Sequence, residues 1–529
     1  MNKKWFPLFL CIFLLIALGE IIFSISEEDI KAIVLILAHA FIFSYISTLL
    51  ISLIHNRKIQ NIVIWILLLL LSSSFFCDII CLTEYHTNFN KDFISAILGT
   101  NSDEVNEFFG LHFKGVVLGF VSPVIILILY FYFRNNNFKF KNIKPLHAII
   151  ALVICLGVLL IKPNAGRRIV TEKSVEGKLV SLYNYIRNIP PTIPLYNQFD
   201  GELLYDEDYL PKNIVVIFGE SHNRQHCQFY GYNKATMPYT QHLIDVDSLY
   251  VFDKITSPAT STAEAFRSIL STYRPEFEDS VTYWTCPSIF QFMRETGYRQ
   301  TWISNQAKHG IYDNLIGNYA DLCDSVVFLG DIFSGLNRSN KDGDLIPHLK
   351  EIHTDSHGRN IYFLHLMGSH ERFSERYPKE FEFFTPSDYS DIPESQRNVI
   401  SSYDNSVRYT DWVINQVFDE FKNDEAIVIY FSDHGLDLFY TRNDYFHHAI
   451  ISDPESCKVA SEIPFLIYPT ASFCEKYPET VARIANSTHR EWRTDDMIYT
   501  VMDIAGIRFS VSNEVEERSL LVPKDVVNE

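Results

Sequence analysis

Cysteine is scarce in this chain: nine among 529 residues, with no CxxC pair. That excludes a disulfide-stapled scaffold and a cysteine-rich structural zinc site. Positive charge is also in deficit, 45 Lys and Arg against 64 Asp and Glu, for a formal net charge of −19. A nucleic-acid partner needs a basic footprint, so none is expected, and the acid excess reads as a solvated surface. Internal repeats and low-complexity tracts are absent, which removes repeat architectures. Cys11, Cys77, Cys81 and Cys155 lie in or beside apolar runs and read as small packing residues. Cys227, Cys286, Cys323, Cys457 and Cys474 lie in the mixed remainder, where a pair such as Cys286 with Cys323 is compatible with an oxidising compartment.

What the chain does have is an uneven distribution of apolar residues. Five runs in its first third approach the roughly 20 residues that cross a hydrocarbon layer: 5–23, 31–54, 61–82, 116–133 and 146–161. Lys3-Lys4 before the first run looks like a secretory signal, but no small-residue cleavage site follows, so an uncleaved anchor is expected. Arg57 and Lys58 follow the second run, and Arg134, Lys139, Lys141 and Lys144 follow the fourth, whereas the first loop holds Glu27, Glu28 and Asp29. The positive-inside rule then makes the N-terminus cytoplasmic and everything after Lys162 external, with Arg167 and Arg168 as the exception. The loop 83–115 is external too, and its stretch 93–113 is amphipathic enough to lie along the interface.

A proline-punctuated linker with short helices is expected over 163–210, and a soluble domain over 211–529. Strand candidates are 213–218, 300–304, 360–366, 426–431 and 464–468, separated by helical stretches. Continuous apolar strands alternating with helices imply a mainly parallel sheet with helices on both faces. Ligands of such sheets bind at the carboxyl ends of the strands.

Two of these strands end in polar chemistry. One runs into Gly219-Glu220-Ser221-His222, the other into Ser432-Asp433-His434-Gly435. Glu, Asp and His beside a hydroxyl form an N/O ligand set suited to zinc with one open position. The hydroxyl is sought in the small polar loop from Ser257 to Phe266, whose Thr and Ser residues enter a helix where free backbone N–H groups favour a phosphate. An ordinary helix cap is the plainer use of such residues. His370 follows one strand, and His447 and His448 follow the Asp433-His434 strand; they suit a second metal, phosphate contact or proton transfer. His365, inside an apolar strand, reads as a core histidine.

At these residues the chain resembles the phosphoethanolamine transferases, membrane members of the alkaline-phosphatase/sulfatase superfamily. Gly219 to His226 with Tyr230-Gly231-Tyr232 is similar to that family's first motif, and Thr260-Ser261-Thr262-Ala263 to its nucleophile loop. Met367-Gly368-Ser369-His370 and Ser432-Asp433-His434-Gly435 match the later motifs in order and spacing. The resemblance implies a five-helix transmembrane domain followed by a periplasmic sulfatase-like α/β domain in the bacterial inner membrane. It implies one zinc on Glu220, Thr262, Asp433 and His434, with a second left open. Thr262 would take phosphoethanolamine from phosphatidylethanolamine and pass it to lipid A or the lipopolysaccharide core, the chain acting as a monomer. His370, His447 and Asn305 would bind the substrate, with Thr100 and Glu104 meeting the ethanolamine head group.

Three positions depart from the family pattern. Pro258 replaces a disulfide-bonded cysteine, Ala96 an asparagine of the head-group site, and Leu436-Asp437 a glutamate–serine pair. Rival readings are a phosphoglycerol transferase of the lipoteichoic-acid synthase type and a non-catalytic membrane-tethered module. A sulfatase in the strict sense is disfavoured because the Thr262 segment lacks the Cys/Ser-x-Pro-x-Arg run that yields formylglycine.

Overall fold

The structure is a computed structural model that describes residues 5–25, 30–85, 113–135, 177–180, 182–183, 199, 201–274, 276, 283–306, 308, 315–332, 340–441 and 453–521. The chain divides into two compact units, Met1–Ile189 and Pro190–Glu529.

In the first unit four helices occupy the first four expected spans: α1 (Phe6–Ile25), α2 (Ile30–Ser52), α3 (Arg57–Tyr85) and α4 (Phe113–Asn135). The stretches Arg57–Cys81 and Phe113–Tyr132, with mean hydropathies of 2.4 and 2.3, are long and apolar enough to cross a membrane. Helix is what such sequences must form there, because lipid offers no partner to a backbone N–H or C=O. The fifth expected span, 146–161, lies outside the described residues. Gly119 on α4 lets Phe76 of α3 come close: a Cβ there would sit 2.7 Å from the ring.

The expected linker is not one piece. Lys178 pairs with Asp78 and lies 2.9 Å from Ser74, both on α3. Phe199 meets Phe292 edge-on at 5.3 Å and packs tilted on Phe509 at 4.6 Å, both in the second unit, and Leu203–Leu204 pairs antiparallel with Arg508–Phe509. Phe199, Leu203 and Leu210 thus belong to the second unit's core.

That unit is built on a seven-stranded sheet. In chain order its strands are β1 (Asn213–Gly219), β2 (Tyr250–Phe252), β3 (Arg299–Ser304), β4 (Ser325–Phe328), β5 (Asn360–His365), β6 (Ala426–Ser432) and β7 (Phe465–Pro469). Their order across the sheet is β2-β7-β6-β1-β5-β3-β4. All five strand candidates are strands, and β2 and β4 are additions of three and four residues, too short to carry a periodic signal. One direction departs from expectation: β7 is antiparallel to β6. The chain re-enters the sheet at the carboxyl edge, through the helix Pro454–Ser461, and runs back down. An apolar run has no direction written in it, so the sequence pattern does not separate the two cases.

Alternation sends side chains to two cores. Ile214, Val216, Phe218, Ile427, Ile429 and Phe431 face one side, covered by α6 (Thr262–Ile269), among others. Val215, Ile217, Val428 and Tyr430 face the other, covered by the long helix Glu394–Phe421, named α9 below. Between them, in chain order, lie α7 (Ile289–Glu295) and α8 (Leu345–Thr354), while α5 (Pro238–Asp245) precedes α6. Phe218, the last core residue before the site, packs on Phe266 of α6 at 5.0 Å and on Trp302 at 5.8 Å. Phe218→Ala should therefore lower stability by about 3–5 kcal/mol, read from the denaturation midpoint. It should also weaken metal binding, since the ring supports the helix that presents Thr262.

Candidate metal centre

β1 and β6 are neighbours in parallel register, with Gly219 opposite Ser432. The next residues, Glu220 and Asp433, are therefore set side by side past the strand ends, 1% and 0% exposed. Gly219 is required by packing: a Cβ there would lie 2.5 Å from the Tyr430 hydroxyl. Ser221 then turns in the left-handed region at φ 56°, a strained setting for a residue with a side chain. Its hydroxyl donates to Glu220 Oε1 at 2.7 Å and its carbonyl accepts from Tyr403 of α9 at 2.7 Å, which holds the turn.

Three more groups close on Glu220. Thr262, the first residue of α6, donates its hydroxyl to Glu220 Oε2 at 2.8 Å, with Oγ1 3.4 Å from His434 Nε2. Ser261 stands at the N-cap position with no side-chain cap bond, so the loop does not use these hydroxyls as an ordinary cap. His434 donates from Nδ1 to the Gly435 carbonyl at 2.8 Å, which turns Nε2 inward, 3.3 Å from Glu220 Oε1 and 3.7 Å from Asp433 Oδ2. Asp433 Oδ1 accepts from the His434 backbone at 2.7 Å, while Oδ2 is buried with no hydrogen-bond partner among the described residues.

The electrostatics of this cluster are unfavourable without a cation. Burial pushes the Asp433 carboxyl up to about 8, and the neighbouring Glu220 charge adds to the rise. Burial also opposes ionisation of Glu220, yet His434 holds it well below the usual carboxylate range. For His434, burial favours the neutral ring, but Asp433 and Glu220 together raise it to about 9. The ligand atoms of Glu220, Asp433 and His434 lie within 4.8 Å of one another. Tetrahedral zinc, with ligands at about 2.0–2.1 Å, places its ligand atoms about 3.3 Å apart. The distances here, from 2.8 to 3.7 Å with Thr262 included, bracket that spacing. Chemistry and geometry both fit a divalent metal.

The loop before Thr262 is anchored without a disulfide. Ser257 donates its backbone N–H to the Ser461 carbonyl at 2.8 Å and its hydroxyl to the Asp433 carbonyl. No disulfide occurs among the described residues, and Cys286 and Cys323, a candidate pair, are not bridged to each other.

Of the remaining sequence candidates, His370 is brought near: Glu220 is influenced by its charge, and the Ser369 N–H donates to the Glu220 carbonyl at 2.9 Å. Gly368 carries this approach at φ 50°, where a Cβ would lie 2.6 Å from the Glu220 oxygen. Asn305 follows β3, buried, with its amide donating to Asp342 Oδ1 at 2.8 Å. Thr100, Glu104, His447 and His448 lie outside the described residues. His365 is a core histidine with Nδ1 3.2 Å from Ser304 Oγ, and burial lowers it to about 4.

Much of the first motif is structural. Asn223 clasps the two ligand loops, donating to the Leu436 carbonyl at 2.8 Å and accepting from the Leu436 N–H. His222 lies 2.7 Å from the Tyr430 hydroxyl, and burial lowers it to about 3. His226 Nδ1 is 2.6 Å from Asp404, whose other oxygen accepts from Tyr232 at 2.7 Å and from Tyr389. Asp437, at the position of the expected glutamate–serine departure, accepts the Tyr440 and Thr441 N–H groups at 3.1 and 3.2 Å. Sequence reasoning missed Asp342, Tyr403 and Asp404. Each is a common residue type in an unremarkable stretch, and only the fold brings it to the site.

Strand order and the residues gathered at the carboxyl edge define an enzyme of the alkaline-phosphatase/sulfatase superfamily. More narrowly, the chain belongs to the sulfatase family, whose family model matches residues 212–507. A curated relative, phosphoethanolamine transferase EptC of Escherichia coli, is 22% identical over 454 residues, covering 80% of this chain and 76% of its own. The integral membrane lipooligosaccharide phosphoethanolamine transferase A of Neisseria meningitidis is similar in fold, with a TM-score of 0.68 and 19% identity, covering 99% of this chain and 97% of that one. The C-terminal periplasmic domain of Escherichia coli EptC, solved in complex with Zn, has a TM-score of 0.55 and 22% identity, covering 61% of this chain and 90% of that domain.

Metal binding to this cluster must displace the protons that the metal-free site holds. Raised values for Asp433 and His434 mean that the folded metal-free protein binds protons more tightly than the unfolded chain, so its stability falls as pH rises through about 8 and about 9. Zinc affinity moves the opposite way. The melting-temperature gap between zinc-loaded and metal-free protein should widen between about pH 6 and about pH 9; calorimetry showing a constant gap would contradict the ligand assignment.

Proposed function

We propose that this chain transfers phosphoethanolamine from phosphatidylethanolamine to lipid A or the lipopolysaccharide core, through a covalent intermediate on Thr262. The observation that carries the reading is the Thr262 hydroxyl, at a helix start, hydrogen-bonded to a buried glutamate beside an Asp-His pair. The phosphoethanolamine transferases among its relatives, and the Zn complex of one such domain, support it. Glu220, Thr262, Asp433 and His434 would hold one zinc, which when bound supplies Lewis-acid stabilisation of charge on the phosphoryl oxygens and a lowered hydroxyl pKa.

The protein groups account for the rest. Glu220 Oε2 holds the Thr262 hydroxyl hydrogen and orients Oγ1. Oγ1 attacks phosphorus, the bond from phosphorus to the diacylglycerol oxygen breaks, and diacylglycerol leaves with the proton. The first-turn N–H groups of α6 face the phosphoryl oxygens, a favourable position for an anion. His370, His447 and Asn305 hold the bound group, with Thr100 and Glu104 at the ammonium. A hydroxyl or phosphate of the acceptor then attacks the same phosphorus and frees Thr262. The working arrangement is a transmembrane domain over 1–162, a linker over 163–210 whose Phe199, Leu203 and Leu210 pack with the domain that follows, and a catalytic domain over 211–529 in the periplasm, anchored as a multi-pass monomer in a bacterial inner membrane. If the acceptor is a lipid A phosphate, the product carries less net negative charge and binds cationic peptides such as polymyxin more weakly.

Mass spectrometry of lipid A and core oligosaccharide, from cells expressing wild type or Thr262→Ala, tests this. One glycolipid should gain a phosphoethanolamine increment in wild type, reduced about 10³-fold or more in the variant. An increment that survives Thr262→Ala removes the nucleophile assignment, and a phosphoglycerol increment would move the donor to the lipoteichoic-acid synthase type.

A further inference from the structure

Asp342 lies just before α8, 2% exposed, and is absorbed by no step above. Its carboxylate collects three N–H groups from two strand ends. Oδ1 accepts from Asn305 Nδ2 and from the Met367 backbone, both at 2.8 Å, and Oδ2 accepts from the Gly368 backbone at 2.8 Å. Asn305 directly continues β3, its N–H bonded to the His365 carbonyl at 2.9 Å. Met367 and Gly368 lead from β5 to His370, and Gly368 packs against the backbone of the ligand Glu220.

The pattern fixes a polarity. An ionised Asp342 carboxylate, held by these three N–H donors, offers only lone pairs to Asn305. The Asn305 amide therefore turns its NH₂ to Asp342, which leaves its Oδ1 as the acceptor not engaged there. That oxygen is buried and has no hydrogen-bond partner among the described residues. A buried acceptor left unpaired carries a desolvation cost, which a ligand donor would recover. Asp342 feels the positive charge of Arg376, and Lys341 feels the negative charge of Asp342. Arg376 also donates to the His370 and Glu371 carbonyls at 3.2 and 2.8 Å, so the His370 loop is held from both sides.

We propose that Asp342 is a positioning residue that sets Asn305 with its amide oxygen toward the ligand, so that Asn305 recognises a hydrogen-bond donor, the ammonium of the transferred group or a hydroxyl of its acceptor. This rests on the transferase reading above. Asn305 touches the ligand; Asp342 acts through Asn305 and through the loop that carries His370.

The test uses the full zinc-loaded chain in nanodiscs, with diacylglycerol release as the readout. Donors are phosphatidylethanolamine and phosphatidylcholine, whose trimethylammonium carries no N–H. Asp342→Asn should keep zinc content and lower kcat/KM about ten-fold or more. A loss concentrated in the preference for the ethanolamine lipid identifies the ammonium as the donor; a loss concentrated in the KM for the acceptor glycolipid identifies the hydroxyl. Asn305→Ala should show the same pattern, and the double variant should be little worse than Asn305→Ala alone, because the two residues act as a unit. Defects that multiply, or kcat/KM within about two-fold of wild type in Asp342→Asn, overturn the proposal. Should Asp342→Asn not fold, Asn305→Asp sets two carboxylates face to face; about a ten-fold loss supports the proposal and wild-type activity overturns it. A wild type without turnover would remove the transferase reading and this inference with it.

Discussion

Two carboxylates buried against each other are tolerated only with compensating positive charge, and the second unit is organised around that constraint. Glu220 and Asp433 leave the ends of adjacent parallel strands with almost no exposure. His434 alone is an incomplete answer, since it cannot pair fully with both, and Asp433 Oδ2, 3.7 Å from its Nε2, accepts no hydrogen bond among the described residues. A divalent cation answers the same geometry with the right ligand types. The cost of building the site is carried by the large apolar cores on both faces of the sheet.

Around the ligands lies a polar frame that needs no cation. Asn223 joins the two ligand loops, Tyr403 holds the strained Ser221 turn, and Ser257 fixes the approach to Thr262. Further out, His226, Tyr232 and Tyr389 converge on Asp404 of α9. Most of these partners are buried and directional, so the frame restricts the ligand positions to a narrow range. This explains why motif residues such as His222 and His226, which look catalytic by type, serve as bolts, while a threonine at a helix start reaches Glu220.

How much of this was legible in the sequence follows from what sequence patterns encode. Long apolar runs ending in Glu220 and in Asp433-His434 are visible because burial and strand length leave a strong one-dimensional trace. The brief strands β2 and β4 leave none, and the reversed direction of β7 is a property of its connection rather than of its residues. Four of the five expected spans coincide with helices, two of them meeting the length and hydropathy of a membrane crossing. The linker from 163 to 210 looked uniform in composition, yet Phe199, Leu203 and Leu210 pack into the second unit's core. Asp342 was invisible for a different reason. Its partners, Asn305 and Met367-Gly368, are 37, 25 and 26 positions away, and nothing local marks a carboxylate for such contacts.

The central claim, that this cluster stages Thr262 as a nucleophile, is tested most directly by peptide mapping of the purified full chain. The zinc-loaded protein would be exposed briefly to phosphatidylethanolamine without acceptor, quenched, digested and analysed by mass spectrometry. The account predicts a phosphoethanolamine group on Thr262 and one diacylglycerol released for each modified chain. A modification on any other residue, or steady diacylglycerol release with Thr262 unmodified, would contradict it.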